Sequence, residues 1–428
     1  MANSSVRRAL VPAGLAAVLA LAACSSGGAT TPQATSGGTG SSSAAPTGPL
    51  TVWVMGDATT KFDTLVAPFT QSTGIKVKTV AIPWDSVDQK MTTAVASGDG
   101  PDVVQVGLSK LRTYADTGAL LTLDDATLAG HANLASSNFL DGVAGKATAV
   151  GGKVVSVPWI ADTRVLFYRS DILSAAGIST PPATWDELRA DAKKLAARGA
   201  GKYGYYIPQW DSPLPVEMTW DFGGDIIGAD GKVNFDTPEF RKAVDLYTGL
   251  YADKSVPTAG DFDQTQGFVS GAAPMLVSGP YLAAAIKDAA PDLAGKWSVA
   301  QLPKGTTNTS LLAGSNMAVW AKTAHKDAAL ALLDYLSTPA TQVKWFQLNG
   351  DLPTAKAALA DSALTSDPLV SVYAAQLANA KIVPLVPNWD GATGKALLDA
   401  LNSIALKGTD KETALTALFA ATKGQSIG

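Results

Sequence analysis

Four of the ten tryptophans in this 428-residue chain stand beside polar or turn-forming residues. Trp84 follows Pro83, Trp210 lies between Gln209 and Asp211, Trp220 precedes Asp221, and Trp389 sits between Asn388 and Asp390. Flat aromatic faces in such segments can cover the C–H face of a pyranose ring, while nearby carboxylates hydrogen-bond its hydroxyl rim. The candidate carboxylates are Asp57 after the first strand-like run, Asp102 in the turn GDGPD, and Asp162 at the end of PWIAD. A buried carboxylate must find donors, and hydroxyl groups supply them. Packing is the rival account of each tryptophan, because large aromatics most often serve burial. Asp102 reads equally as an Asx cap holding its turn. Arg164 reaches the same site as Asp162 or pairs with a surface acid, and both readings stand. Trp53, Trp185, Trp297 and Trp320 read as core, and Trp159 and Trp345 carry no assignment.

Other chemistries find less support. The chain has no H-E-x-x-H and no P-loop, and its two histidines, His131 and His325, fall in loop or helix-start contexts. Asp261-x-Asp263-x-Thr265 has the opening of a calcium loop, but Gln266 replaces the turn glycine and Ala272 the bidentate glutamate. No metal or other cofactor is therefore expected. A glycoside hydrolase remains the enzymatic alternative, since it would use the same aromatics with a carboxylate pair.

The elements that would position these residues alternate strand and helix. Strand-like runs cover 50–54, 75–80 and 102–106, separated by helical spacing over 59–72 and 84–97. That order predicts an α/β body with a parallel sheet wound on both faces. Further helices are expected at 185–198, 238–252, 281–289, 326–337, 341–348 and 394–406. Gly56-Asp57 and Gly107 follow predicted strands, at the edge where open α/β sheets bind ligands.

The single cysteine, Cys24, closes the run Leu21-Ala22-Ala23-Cys24 behind a short apolar stretch and the basic pair Arg7-Arg8. This predicts a lipoprotein signal over 1–23, cleaved before Cys24 and exported by the general or the twin-arginine route. Lipid on Cys24 would moor the protein to the outer face of a bacterial membrane. Residues 24–49 are nearly all Ser, Gly, Thr, Ala and Pro, a tether with too little apolar area to order itself. The formal net charge is −4 and grows more negative once Arg7 and Arg8 are removed, so nucleic acid is an unsuitable partner.

Six segments occur in one order: WVMGDATTKFDTLVAPFTQSTGIKVKTV (53–80), ASGDGPDVV (96–104), GGKVVSVPWIADTRVLFYRSDIL (151–173), PPATWDEL (181–188), VSGPYL (277–282) and IVPLVPNWDGATGKAL (382–397). Together they resemble the carbohydrate-binding branch of bacterial solute-binding proteins for ABC importers, the group that includes maltose-binding protein. The resemblance implies a two-lobe periplasmic-binding-protein-like fold with a ligand cleft between the lobes. It divides the body into 50–160 plus 309–338 and 161–308 plus 339–428. It also implies a monomer that captures a carbohydrate and delivers it to ABC permease subunits, touching the membrane only through its lipid anchor. Tyr281 matches a position where the family presents a ring to sugar, and Asp162 matches an acidic sugar ligand. Val106, Ala283 and Thr393 stand where maltose-binding protein has tryptophan, so the stacking surfaces are redistributed and the sugar is expected to differ. A polyamine or another small solute on the same fold is the alternative ligand.

Overall fold

The computed structural model describes residues 48–140, 143–145 and 147–427. Cys24, the expected signal and nearly all of the tether lie outside these residues. Strand and helix alternate as the hydrophobic spacing predicts. Leu50–Met55 leads to the helix Thr59–Thr73, Val77–Ile82 to Val87–Ser97, and Val103–Gly107 to Leu108–Ala115. The helix after Val77–Ile82 begins with a short 3-10 turn at Trp84–Ser86 because Pro83 precedes it.

The first sheet is mixed rather than wholly parallel. Leu50–Met55 pairs in parallel with Val77–Ile82 and Val103–Gly107. Ser310–Val319, returning from late in the chain, pairs antiparallel with Val103–Gly107 on one side and Val157–Thr163 on the other. Leu352–Pro353 closes the outer edge against Val157–Thr163. A second, antiparallel sheet has Val165–Tyr168 at its centre, between Met275–Ser278 and Ser298–Ala300.

The chain thus passes from the first sheet to the second at Arg164. The return passage lies beside it: the Arg164 amide donates to Ser310 Oγ at 3.1 Å, and Ser310 Oγ donates to the Arg164 carbonyl at 2.8 Å. Two crossovers stitched in this way bring the ends of both sheets to one place.

Each sheet has its own core. Phe62, Phe69, Trp159 and Trp345 pack beneath the first sheet, with Trp159 and Trp345 ring centroids 5.6 Å apart. The helix Pro339–Asn349, expected in the second lobe, therefore rests on Thr59–Thr73 of the first. Trp345 lies 6.0 Å from Phe62, and burial of that indole decides where the helix docks. The second core gathers Trp185, Tyr205, Phe240 and Tyr247. The segment PPATWDEL starts its helix with a capping box, Thr184 Oγ1 accepting from the Glu187 amide at 3.2 Å and Glu187 Oε2 accepting from the Thr184 amide at 3.2 Å. Trp53, Trp185 and Trp320 are buried, and Trp297 is half-buried against Phe167 at 5.9 Å. Among the described residues no helix is long and apolar enough to cross a membrane.

Candidate functional site

Strand direction places the candidate residues. Val103–Gly107 and Val157–Thr163 both run antiparallel to Ser310–Val319, so both point the same way, and Ser315 pairs with Gly107 on one side and Ile160 on the other. Asp162 thus extends two residues beyond the level of Gly107, at the carboxyl edge that Met55 and Ile82 also reach.

Trp84 lies across that edge, 51% exposed. Its indole covers two glycines: a Cβ on Gly107 would meet the ring at 3.4 Å and one on Gly56 at 3.6 Å. Gly56 has φ +83°, which a side chain disfavours, so glycine both turns the chain out of the strand and leaves room for the ring. Asp57 follows in the exposed loop. Behind them Gln105 accepts from the Met55 amide at 3.0 Å and donates to Ser315 Oγ at 2.7 Å, fixing the strand ends.

The crossover supplies a second group. Asp162 Oδ1 is buried and has no hydrogen-bond partner. Its carboxyl is pushed up to about 7, chiefly by burial, with Arg164 opposing and Asp351 adding to the rise. Arg164 forms an ion pair with Asp211 and lies 3.8 Å from Glu217. Burial disfavours its charge, but those two acids outweigh burial and raise its pKa. Glu217, fully buried, accepts from the Leu311 amide at 2.6 Å and is itself pushed up to about 7, mostly by burial.

Two exposed rings flank this cluster. Trp210, 61% exposed, immediately precedes Asp211. Tyr281, at the start of the helix Pro280–Ala289, is 42% exposed, and Ser278 Oγ donates to its hydroxyl at 3.0 Å. Burial of that hydroxyl lifts its pKa, with Asp162 contributing and Arg164 opposing. Gly279 must be glycine here, because a Cβ would come within 2.5 Å of Asp162 Oδ1.

Three expected site residues are placed elsewhere. Trp220 is 2% exposed on the helix Pro213–Asp221, inside the second core, with Nε1 donating to Asp225 at 3.3 Å. Trp389 is 1% exposed, and its Nε1 donates to Ser212 Oγ at 3.1 Å. Both indoles have their polar atom satisfied within the protein, which lets them serve as packing. Asp102 lies at the amino end of Val103–Gly107, the opposite end from Gly107. It accepts from the Thr51 amide at 2.8 Å and also bonds Thr323 and His325, the latter at 3.0 Å, so it ties the sheet together.

Sequence reasoning also missed residues that join at this edge only in the fold. Lys110 Nζ sits 2.9 Å from Asp88 and 2.9 Å from Asp390, joining the helix Leu108–Ala115 to the C-terminal loop. Burial disfavours its charge, yet the hydrogen bonds from Asp88 and Asp390 prevail and raise its pKa. The Asn388 amide donates to Thr113 Oγ1 at 3.2 Å on the same helix. Only the polarity of Asp390 beside Trp389 hinted at this contact. Among the described residues, no group of three or more His, Cys, Asp or Glu side chains is placed to hold a metal ion.

Residues 55–343 match the family model described as bacterial extracellular solute-binding protein. A putative binding protein of Brucella abortus is 28% identical over 329 residues, 75% of this chain and 78% of its own length. The diacetylchitobiose binding protein DasA of Streptomyces coelicolor is 27% identical, covering 79% of this chain and 80% of its own. The sugar-binding protein MalE of Xanthomonas citri superposes with a TM-score of 0.79 at 26% identity, covering 88% of this chain and 96% of its own.

Proposed function

The chain belongs to the bacterial extracellular solute-binding protein family, and from that premise we propose that it captures a sugar or oligosaccharide outside the cytoplasmic membrane and hands it to an ABC permease. The observation that carries the carbohydrate reading is the set of exposed rings, Trp84 at the carboxyl edge and Trp210 and Tyr281 in the second lobe, together with a buried, unpartnered acceptor at Asp162. Rings cover apolar sugar faces, and the acceptor takes a hydroxyl hydrogen. Relatives that bind diacetylchitobiose or other sugars support the same ligand class.

The first lobe on this reading takes 50–163 with 310–353, and the second takes the rest of the body. Solute bridging both lobes stabilises the closed arrangement by whatever contacts that arrangement adds. The Lys110–Asp390 contact is one point where the lobes meet. The relatives are binding proteins, and Glu217 is fully buried and bonded to the return strand. Cys24 would carry the lipid that holds the protein at the membrane. In Cys24→Ala the body should fold yet leave the membrane fraction; continued sedimentation with membranes would contradict the anchor.

A thermal-shift screen against mono- and oligosaccharides tests the carbohydrate reading. A ligand at about 100 times its Kd stabilises by roughly 2.7 kcal/mol, well within detection. Stabilisation only by peptides or anionic solutes would contradict it.

A further inference from the structure

The crossover gathers more acids than cations. Asp211 engages Nη1 of the Arg164 guanidinium, Glu217 lies 3.8 Å from the same atom, and Asp162, which feels the same charge, makes no ion pair with it. Asp351 adds a further acid near Asp162, with Oδ2 already accepting from Trp345 and Asn349 at 2.9 and 2.7 Å. Asp162 is left with a buried oxygen and no donor.

A second unpartnered group lies near enough to feel Asp162. Tyr373 is 2% exposed, its buried hydroxyl has no partner, and it feels the charges of Asp162 and Asp367 and the phenol of Tyr281. Tyr373 also forms a wall of a groove of about 510 Å³, shared with Pro280, Leu352, Lys61 and Asn349, which Asp162 does not line. The groove's own cations are engaged: Lys61 donates to Asn349 at 3.0 Å, and Lys287 pairs with Asp367 at 3.4 Å.

Resting on the carbohydrate reading above, we propose that the solute carries a protonated amine, as an amino sugar does, and that this amine pairs with Asp162. A hydroxyl would supply a hydrogen bond alone; an ammonium supplies donors and a positive charge that favours the ionised carboxylate. A phosphate or carboxylate on the solute would instead add like charge to an acid-rich wall. Burial lifts the Asp162 carboxyl to about 7, and a cation beside it would bring it back down.

The test compares sugars that differ in one substituent, by thermal shift and calorimetry on the full chain. One set is glucose and glucosamine; the other is cellotriose, N-acetylated chitotriose and the chitosan trimer, with spermidine as an amine that is no sugar. The amine member of at least one set should bind about tenfold more tightly than its neutral counterparts, the scale of a charge-assisted contact. That gap should close in Asp162→Asn. The wild type alone decides the matter if the variant does not fold: no amine sugar exceeding its neutral counterpart in any set overturns the proposal. A gap that survives Asp162→Asn overturns it too. Neutral sugars binding without a gap end the amine proposal and keep the carbohydrate reading. Spermidine binding while no sugar binds ends the carbohydrate reading and the proposal that rests on it.

Discussion

The two ends of the first sheet treat the same side chain in opposite ways. At the amino end Asp102 spends both oxygens on Thr51, Thr323 and His325. At the carboxyl end Asp162 keeps a buried oxygen with no partner, beside exposed aromatic rings. A satisfied buried carboxylate is part of the scaffold, whereas an unsatisfied one costs free energy that a bound solute can recover. The tryptophans divide the same way: Trp389 has its Nε1 bonded and its ring buried, while Trp84 lies open over two glycines.

The largest effect that would sharpen this contrast is in the scaffold. Trp389→Ala should lower stability by about 3–5 kcal/mol, as loss of a large buried aromatic does, measurable by denaturant unfolding. Trp84→Ala should leave stability nearly unchanged and weaken sugar binding by about 1–3 kcal/mol in calorimetry. Equal behaviour of the two variants in both measurements would break the comparison.

A smaller effect should appear with pH. Asp162 is pushed from an ordinary 3.8 to about 7, Glu217 from 4.5 to about 7, and Asp221 from 3.8 to about 9, burial being the first cause of each. Between the ordinary and the raised values the folded protein holds protons that the unfolded chain has released, so stability falls as pH rises through that window. The melting temperature of the unliganded protein should drop between about pH 5 and pH 8, and Glu217→Gln should make the drop shallower.

The smallest expected effect is at the lobe contact. Lys110→Met removes a partly exposed ion pair and should weaken sugar binding by under about 1 kcal/mol through an easier opening, with no change in ligand preference. A changed preference would make Lys110 a ligand contact instead.

Much of the fold was legible in the sequence. Alternating apolar runs gave strand and helix order, and the helix expected from residue 185 does begin at Trp185. The antiparallel Ser310–Val319 strand was not, because its partners lie more than 140 residues earlier and nothing local fixes direction. Trp84 and Tyr281 are exposed, in keeping with the turn chemistry and the resemblance that singled them out. Trp220 misled because its helix is buried on nearly every side, so polar neighbours such as Asp221 say nothing about exposure. Trp389 misled because its loop folds inward to reach Ser212, 177 residues away. The acids around Arg164 were invisible for the same reason: burial and pairing across the fold, rather than local spacing, turn Asp211 and Glu217 into one group with it.

The most direct test of the account is a crystal structure of the full chain with the sugar that stabilises it most. The sugar should lie at the carboxyl edge of the first sheet, stacked on Trp84 or Tyr281, with a hydrogen-bond donor on Asp162 Oδ1. A sugar bound elsewhere, with Asp162 Oδ1 still unpartnered and both rings uncovered, would contradict it.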